Sequence, residues 1–192
     1  MTSKTAVTAA PIASVLAERW SPRSFDHNYE LTQHELLSIL EAARWAASAN
    51  NFQPWRFGVA VRGSKEHAQV AAHLSGFNAA WAPQASALIV GAIKTHAADG
   101  TAYTSAQFDL GLSVSSLMVQ THELGLHAHV IAGFDRDALK ADLGLDESLV
   151  IPVIVVIGRV APADQLEGPA REREIAPRVR HDLDDILLFG KP

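Results

Sequence analysis

The sequence contains no cysteine. Disulfides, thiolate metal ligands and thiol nucleophiles are therefore excluded together, and a chain without them suits the cytoplasm. Positive charge is in short supply as well: 16 Lys and Arg stand against 21 Asp and Glu, giving a formal net charge of -5 and a pI near 6.0. A protein that grips a nucleic-acid backbone draws on a clustered excess of basic residues, so no nucleic-acid partner is expected. Long apolar runs are missing too. The stretches 85–93 and 149–158 fall far short of the roughly 18 residues a membrane span needs, and no membrane association is expected. The first 20 residues carry one lysine and an Ala-rich stretch broken by Pro11, which makes a poor signal peptide. Glycine-rich phosphate loops, a Ser elbow, a His-Glu zinc motif and an EF-hand loop are all absent. A nucleotide-like cofactor, if bound, must be held in some other way.

What is present describes a globular chain. Hydrophobic residues make up 48% and charged residues 19% of 192 positions, enough to bury one core. A flexible leader is expected over 1–10, followed by a single domain over 11–192 whose C-terminal arm begins near residue 164. Pro11 can open a short helix, with Ile12, Val15 and Leu16 on one face and Arg19 near its end. Thr32 with Glu35 has the form of a capping box, and Leu36, Leu37, Ile39, Leu40, Ala43 and Ala47 continue with helical spacing to about residue 49. Residues 55–61 alternate as a strand. Helices are predicted over 65–74, 102–124 and 135–143, and strands over 86–93, 127–131 and 150–160. This alternation of strands and helices predicts one sheet covered by helices on both faces.

Two features point beyond a monomer. The long helix carries Gly111, Ser113, Ser115 and Ser116 among apolar residues, so another backbone can come close. The arm ends in Ile186, Leu187, Leu188 and Phe189 after a polar stretch containing Pro169 and Pro177. Such a cluster must be buried, either against its own core or across a second subunit. A homodimer is the expectation.

Despite the acidic balance, basic residues concentrate at Arg19/Arg23 and between Arg171 and Arg180, a pattern suited to a small anion. In Arg19-Trp20-Ser21-Pro22-Arg23-Ser24-Phe25, two arginines with a hydroxyl between them can converge on an anion through charge-assisted bonds of about 1.5–3 kcal/mol each. A solvated basic loop is the alternative. In Ser48-Ala49-Asn50-Asn51-Phe52-Gln53-Pro54-Trp55, polar side chains beside Pro and Trp suit the edge and face of a heterocycle; turn chemistry would use the same residues.

In combination these segments resemble the FMN-dependent nitroreductase family, through Arg19, Ser21, Arg23 and Phe25, then Ser48, Asn51, Gln53, Pro54 and Trp55. The likeness continues at Asn78, at Ile131-Ala132-Gly133-Phe134-Asp135 and at Arg178-Val179-Arg180, so that it spans nearly the whole chain. The resemblance implies an α+β three-layer sandwich, a central mixed sheet flanked by helices, with the C-terminal arm exchanged in a dimer. It implies that Arg19, Arg178 and Arg180 hold the FMN phosphate with Ser21 nearby, and that Trp20 borders the pocket. Arg23 and Asn78 would meet the pyrimidine edge, and the backbone of Ala132 and Gly133 the ring carbonyl and reactive nitrogen. Ser48 and Asn51 would reach the flavin from the other subunit. The implied activity is ping-pong reduction of nitroaromatic or quinone-type acceptors by NADH or NADPH, with activated alkenes, small aldehydes or a non-catalytic flavin-binding role as alternatives. Hydride transfer is then the cofactor's work, and no catalytic side chain is expected.

The chain departs from the family pattern at Ala47, where proline is usual, at Ala132, where glutamate is frequent, and in the short segment between Ile93 and Ala106, which leaves little room for a lid. His127 and His129, two apart on a predicted strand, share a face, but their spacing matches no common zinc motif, and no metal is expected.

Overall fold

The computed structural model describes residues 4–97 and 99–190; the first three residues of the expected leader and the last two of the arm lie outside them. Four strands, β1 (Trp55–Val61), β2 (Ala87–Lys94), β3 (His127–Ile131) and β4 (Leu149–Gly158), form one sheet in the order β1-β2-β4-β3. Every pairing among them is antiparallel. The expected mixed sheet is thus antiparallel within one chain: β2 and β3 run the same way, joined through α5, but β4 lies between them and runs against both. The register slips between Gly91 and Ile93, opposite a stretch of β4 that contains Pro152. Proline has no N–H to give the ladder, so a bulge is where a central strand can accept it.

Among the described residues eight α-helices accompany the sheet: α1 (Ser14–Glu18), α2 (Gln33–Arg44), α3 (Lys65–Ala72), α4 (Gly76–Ala79), α5 (Ala106–Glu123), α6 (Arg136–Asp142), α7 (Gly168–Ile175) and α8 (Leu183–Ile186). Period-2 alternation divides the sheet's side chains between two cores. Leu88, Val90, Ile154 and Val156 pack with Val70 of α3, Trp81 and Leu139 of α6. Ile89, Val155 and Ile157 pack on the opposite face with Ile39 of α2 and Leu110, Val114 and Leu117 of α5. The result is the α+β three-layer sandwich. Leu117 is fully buried, and Leu117→Ala is expected to cost about 2–5 kcal/mol, read as a lowered urea midpoint with the denaturant slope unchanged.

The capping box on α2 is present: the Thr32 hydroxyl accepts from Glu35 N–H, and Glu35 accepts from Thr32 N–H. The helix stops at Arg44, short of the predicted end near 49. Ser113 of α5 donates to the Ala43 carbonyl at 2.7 Å, occupying the acceptor that residue 47 would need to continue the helix. The chain then enters a short 3-10 turn, Ala49–Asn51, where Asn50 and Asn51 have positive φ (50° and 56°), as does Gln53 (48°) just beyond it. Asparagine tolerates that region better than most residues; the glutamine is held by its amide, which donates to Asn51, and by its own N–H, which donates to the Ser48 hydroxyl.

Candidate functional site

The segment Arg19–Phe25 is anchored at its far end. Phe25 is fully buried, stacks on Trp81 at 6.3 Å and bridges to Val160 beyond β4. It crosses β4 at Gly158, where a β-carbon would stand 2.9 Å from the Phe25 ring, so the glycine is what lets the loop lie down there. The loop then runs along β3. His129 Nδ1 donates to the Pro22 carbonyl at 2.7 Å, and its ring packs on Trp81 at 4.7 Å. From the other side Glu174 of α7, almost wholly buried, accepts from Arg23 N–H at 2.7 Å and Ser24 N–H at 3.2 Å.

Arg19 and Arg23 do not converge as their spacing suggested. The Arg23 guanidinium lies over Phe77 (5.6 Å) and Trp81 (6.0 Å), with its Nε buried and unpartnered. Arg19 instead joins the C-terminal arm. Its guanidinium is held below the usual arginine range first by burial and then by the repulsion of Arg178 and Arg180, and a long contact of 3.4 Å reaches the Ser21 hydroxyl. Arg178 donates to the carbonyls of Lys4 and Ala17 at 2.7 and 2.6 Å, which ties the arm to the chain's other end. The ion pairs among the described residues, Arg44–Glu41, His73–Asp142 and His122–Glu18, leave all three arginines out. A cleft of about 580 Å³ between the N-terminal segment and the arm is bordered by Arg178 and Arg180. The partly buried Arg19 and Arg178, with the exposed Arg180 close enough to repel both, form a site suited to an anion with more than one charge.

Further along β3, Asn78 of α4 donates to the Gly133 carbonyl at 3.2 Å, and a β-carbon at 133 would sit 2.7 Å from the Asn78 amide nitrogen. The Ala132 carbonyl is taken by Arg136 at 3.0 Å. Ala132 and Gly133 follow β3 directly and place two adjacent backbone N–H groups at the strand end. Trp20 lies edge-on to His127 (6.0 Å) with Lys4 over its face. Ser48 and Asn51 are not brought here. They precede β1, at the opposite edge of the sheet and three strand spacings, roughly 14 Å, from β3. Ala49 N–H is held there by the buried Asp109 carboxylate.

The two histidines of β3 face neighbouring rings and a backbone carbonyl. Among the described residues no group of three His, Cys, Asp or Glu side chains is placed to hold a metal. His127 packs against His122 and His129 against Trp81. Burial lowers both to about 4 from 6.5; His122 and Arg19 add to the shift at His127, and at His129 the Pro22 bond opposes it while Arg23 and Arg19 reinforce it. The folded state therefore holds the neutral rings, while the unfolded chain takes up protons below about 6.5. Stability is fully present above that pH and falls as pH drops toward 4. Urea midpoints measured from pH 7 to 4.5 should decline, and His129→Asn should flatten the decline; an unchanged slope would contradict these burial effects.

Sequence reasoning missed Glu174, His129 as a partner of Pro22, and Arg136. Glu174 sits in Arg171-Glu172-Arg173-Glu174, whose alternating charge gives no sign that one carboxylate turns inward.

Comparison with known proteins bears on the family and the fold. The Nitroreductase family model matches residues 16–92 and 60–159. A solved structure described as an oxidoreductase containing FMN is 32% identical, with a TM-score of 0.92, covering 100% of this chain and 98% of that one. An oxygen-insensitive NAD(P)H nitroreductase from Salmonella typhimurium is 28% identical over 84% of this chain and 94% of its own. An oxygen-insensitive NADPH nitroreductase from Helicobacter pylori is 45% identical over 76 residues, and there the match spans 40% of this chain and 35% of that relative. The chain belongs to the nitroreductase family.

Proposed function

We propose that this protein is an FMN-dependent oxidoreductase, driven by NADH or NADPH, that reduces nitroaromatic or quinone-type acceptors. The observation that carries the reading is the mutually repelling cluster of Arg19, Arg178 and Arg180, assembled from the two ends of one domain. It suits a phosphate dianion, with Ser21 as a further donor and Trp20 beside it. The orphaned Nε of Arg23 and the amide of Asn78 suit the pyrimidine edge, where a fixed cation favours negative charge on the reduced ring. The backbone N–H groups of Ala132 and Gly133 suit the ring carbonyl and its neighbouring nitrogen. FMN, when bound, supplies the electron-transfer chemistry; the chain's share is orientation and field. The names of the Salmonella and Helicobacter relatives support NAD(P)H as donor and a nitro compound as acceptor.

Ser48 and Asn51 complete the same site from a second copy of the chain. Support comes from their distance from β3 and from the apolar surface one chain leaves uncovered: Trp45 is 75% and Phe108 70% exposed, and Leu188 and Phe189 of the arm 95% and 88%. The arm crosses to the partner in this reading. A cavity of about 270 Å³ beside the unpaired edge of β1, lined by Gly58, Ala60, Val70 and Ala92, offers an apolar seat for its end. No helix among the described residues is long and apolar enough to cross a membrane, which is in keeping with a cytoplasmic enzyme.

Anaerobic addition of NADH or NADPH to the purified, FMN-loaded protein tests the activity. Bleaching of the flavin absorbance, followed by recovery on adding a nitroaromatic or a quinone, is expected. Bound flavin that neither nucleotide bleaches would mark a binding protein without turnover.

A further inference from the structure

We infer that Glu174 is a positioning residue for the flavin site, clamping the Arg19–Phe25 loop so that the Arg23 guanidinium is held at the place where the ring edge lies. This rests on the function proposed above. The loop is gripped at three successive residues: Pro22 accepts from His129 Nδ1 at 2.7 Å, Arg23 N–H donates to Glu174 Oε2 at 2.7 Å, and Ser24 N–H donates to Glu174 Oε1 at 3.2 Å. Ser24 is further tied through its hydroxyl to the Pro162 carbonyl at 2.6 Å. Glu174 is 3% exposed, and burying a carboxylate without full compensation is unfavourable. Burial indeed raises its pKa, against the pull of the two backbone N–H groups, Arg23 and Lys4.

A charged side chain kept in so unfavourable a place does something a neutral one cannot. Both oxygens are used, one on each of two adjacent N–H groups, and a carboxylate is the side chain that offers two equivalent acceptors in that spacing. A glutamine has one acceptor oxygen; its NH₂ would face an N–H, and the loop would turn to escape the clash. With one acceptor in place of two, the grips on Arg23 N–H and Ser24 N–H cannot both be kept, and the loop so loosened carries the Arg23 guanidinium, poised over Phe77 and Trp81 with an unpartnered Nε. Glu174 therefore acts on the cofactor through Arg23.

The test is a double-mutant cycle of Glu174→Gln and Arg23→Ala, read by FMN titration of the apoproteins and by the midpoint potential of the bound flavin. In the chain with Arg23 intact, Glu174→Gln should weaken FMN binding about tenfold, the loss of one hydrogen bond involving a charged group, and move the potential to more negative values. In the Arg23→Ala background it should change affinity less than about twofold. Equal effects in both backgrounds, no effect in either, or a potential that turns more positive would overturn the proposal, the last because it would mark Glu174 as a plain counter-charge. If Glu174→Gln does not fold, as circular dichroism would reveal, His129→Phe takes its place in the same cycle, since it keeps a ring against Trp81 and removes the donor to Pro22; additive effects there overturn the clamp equally. Failure of the unaltered protein to bind FMN would sink the proposed function instead, so the two failures are distinct.

Discussion

Replacing Arg19 and Arg180 together with alanine is expected to give a folded protein that purifies without colour. Each guanidinium offers the phosphate a charge-assisted bond of about 1.5–3 kcal/mol, so losing both weakens FMN binding by roughly 10²–10⁴-fold. The structure adds a second expectation that separates this from unfolding. Without an anion, Arg19 is disfavoured in its charged form by burial and by the repulsion of Arg178 and Arg180, and Arg178 by burial and Arg180. Removing two of the three cations relieves that repulsion. The thermal midpoint of the apoprotein should therefore hold or rise while flavin affinity collapses, and added FMN should no longer raise it by mass action. A variant that keeps its flavin would show that the phosphate lies elsewhere.

Mixing two defective chains should restore flavin binding that neither shows alone. One chain carries Arg19→Ala and Arg180→Ala, the other Ser48→Ala and Asn51→Ala. If each site takes its arginines from one chain and its Ser48 and Asn51 from the partner, a mixed dimer contains one site with every residue intact and one with none. Refolding the two variants as an equal mixture should return about a quarter of the wild-type sites, since half of the dimers are mixed in a two-fold symmetric assembly. Absence of any recovery, with both variants shown to be dimeric, would mean that the whole site is built within a single chain.

Much of the fold could be read from the residues, for reasons that lie in local periodicity. Trp55–Val61 and His127–Ile131 were bounded correctly because alternation is interrupted at each end, by Pro54 and Gly63 around the first and by Gly125 and Gly133 around the second. The start of α2 was legible because Thr32 and Glu35 carry their own geometry. Its end was not, since a serine seventy positions away takes the carbonyl that would extend it. Helices α4 and α8 have four residues each, too few for any period to register, and α7 has only Ala170 and Glu174 to mark an inner face while its isoleucine, Ile175, is exposed. The direction of the strands was illegible as well: alternating helices and strands state the layers and leave pairing to the connections.

The site divides in the same way. Arg19, Arg178 and Arg180 were recognisable through a pattern held in common with a family, and the structure does gather them. Asn78 and Gly133 likewise meet. The spacing of Arg19 and Arg23 alone leaves their directions open, because spacing along a loop does not fix where each side chain leaves it: Arg23 lies over Phe77 and Trp81 while Arg19 meets the arm. The supports of the loop, Glu174 and His129, lie 151 and 107 residues from the backbone groups they bind, and no local feature of either announces the contact.

The central claim is that a phosphate tail is what the two ends of the chain come together to hold. Parallel titration of the apoprotein with FMN and with riboflavin, which differ by that phosphate alone, tests it most directly. The arginine cluster predicts saturation at one FMN per chain and riboflavin binding weaker by at least about 100-fold, the worth of two charge-assisted bonds. Equal affinity for the two flavins, or no binding of either, would contradict it.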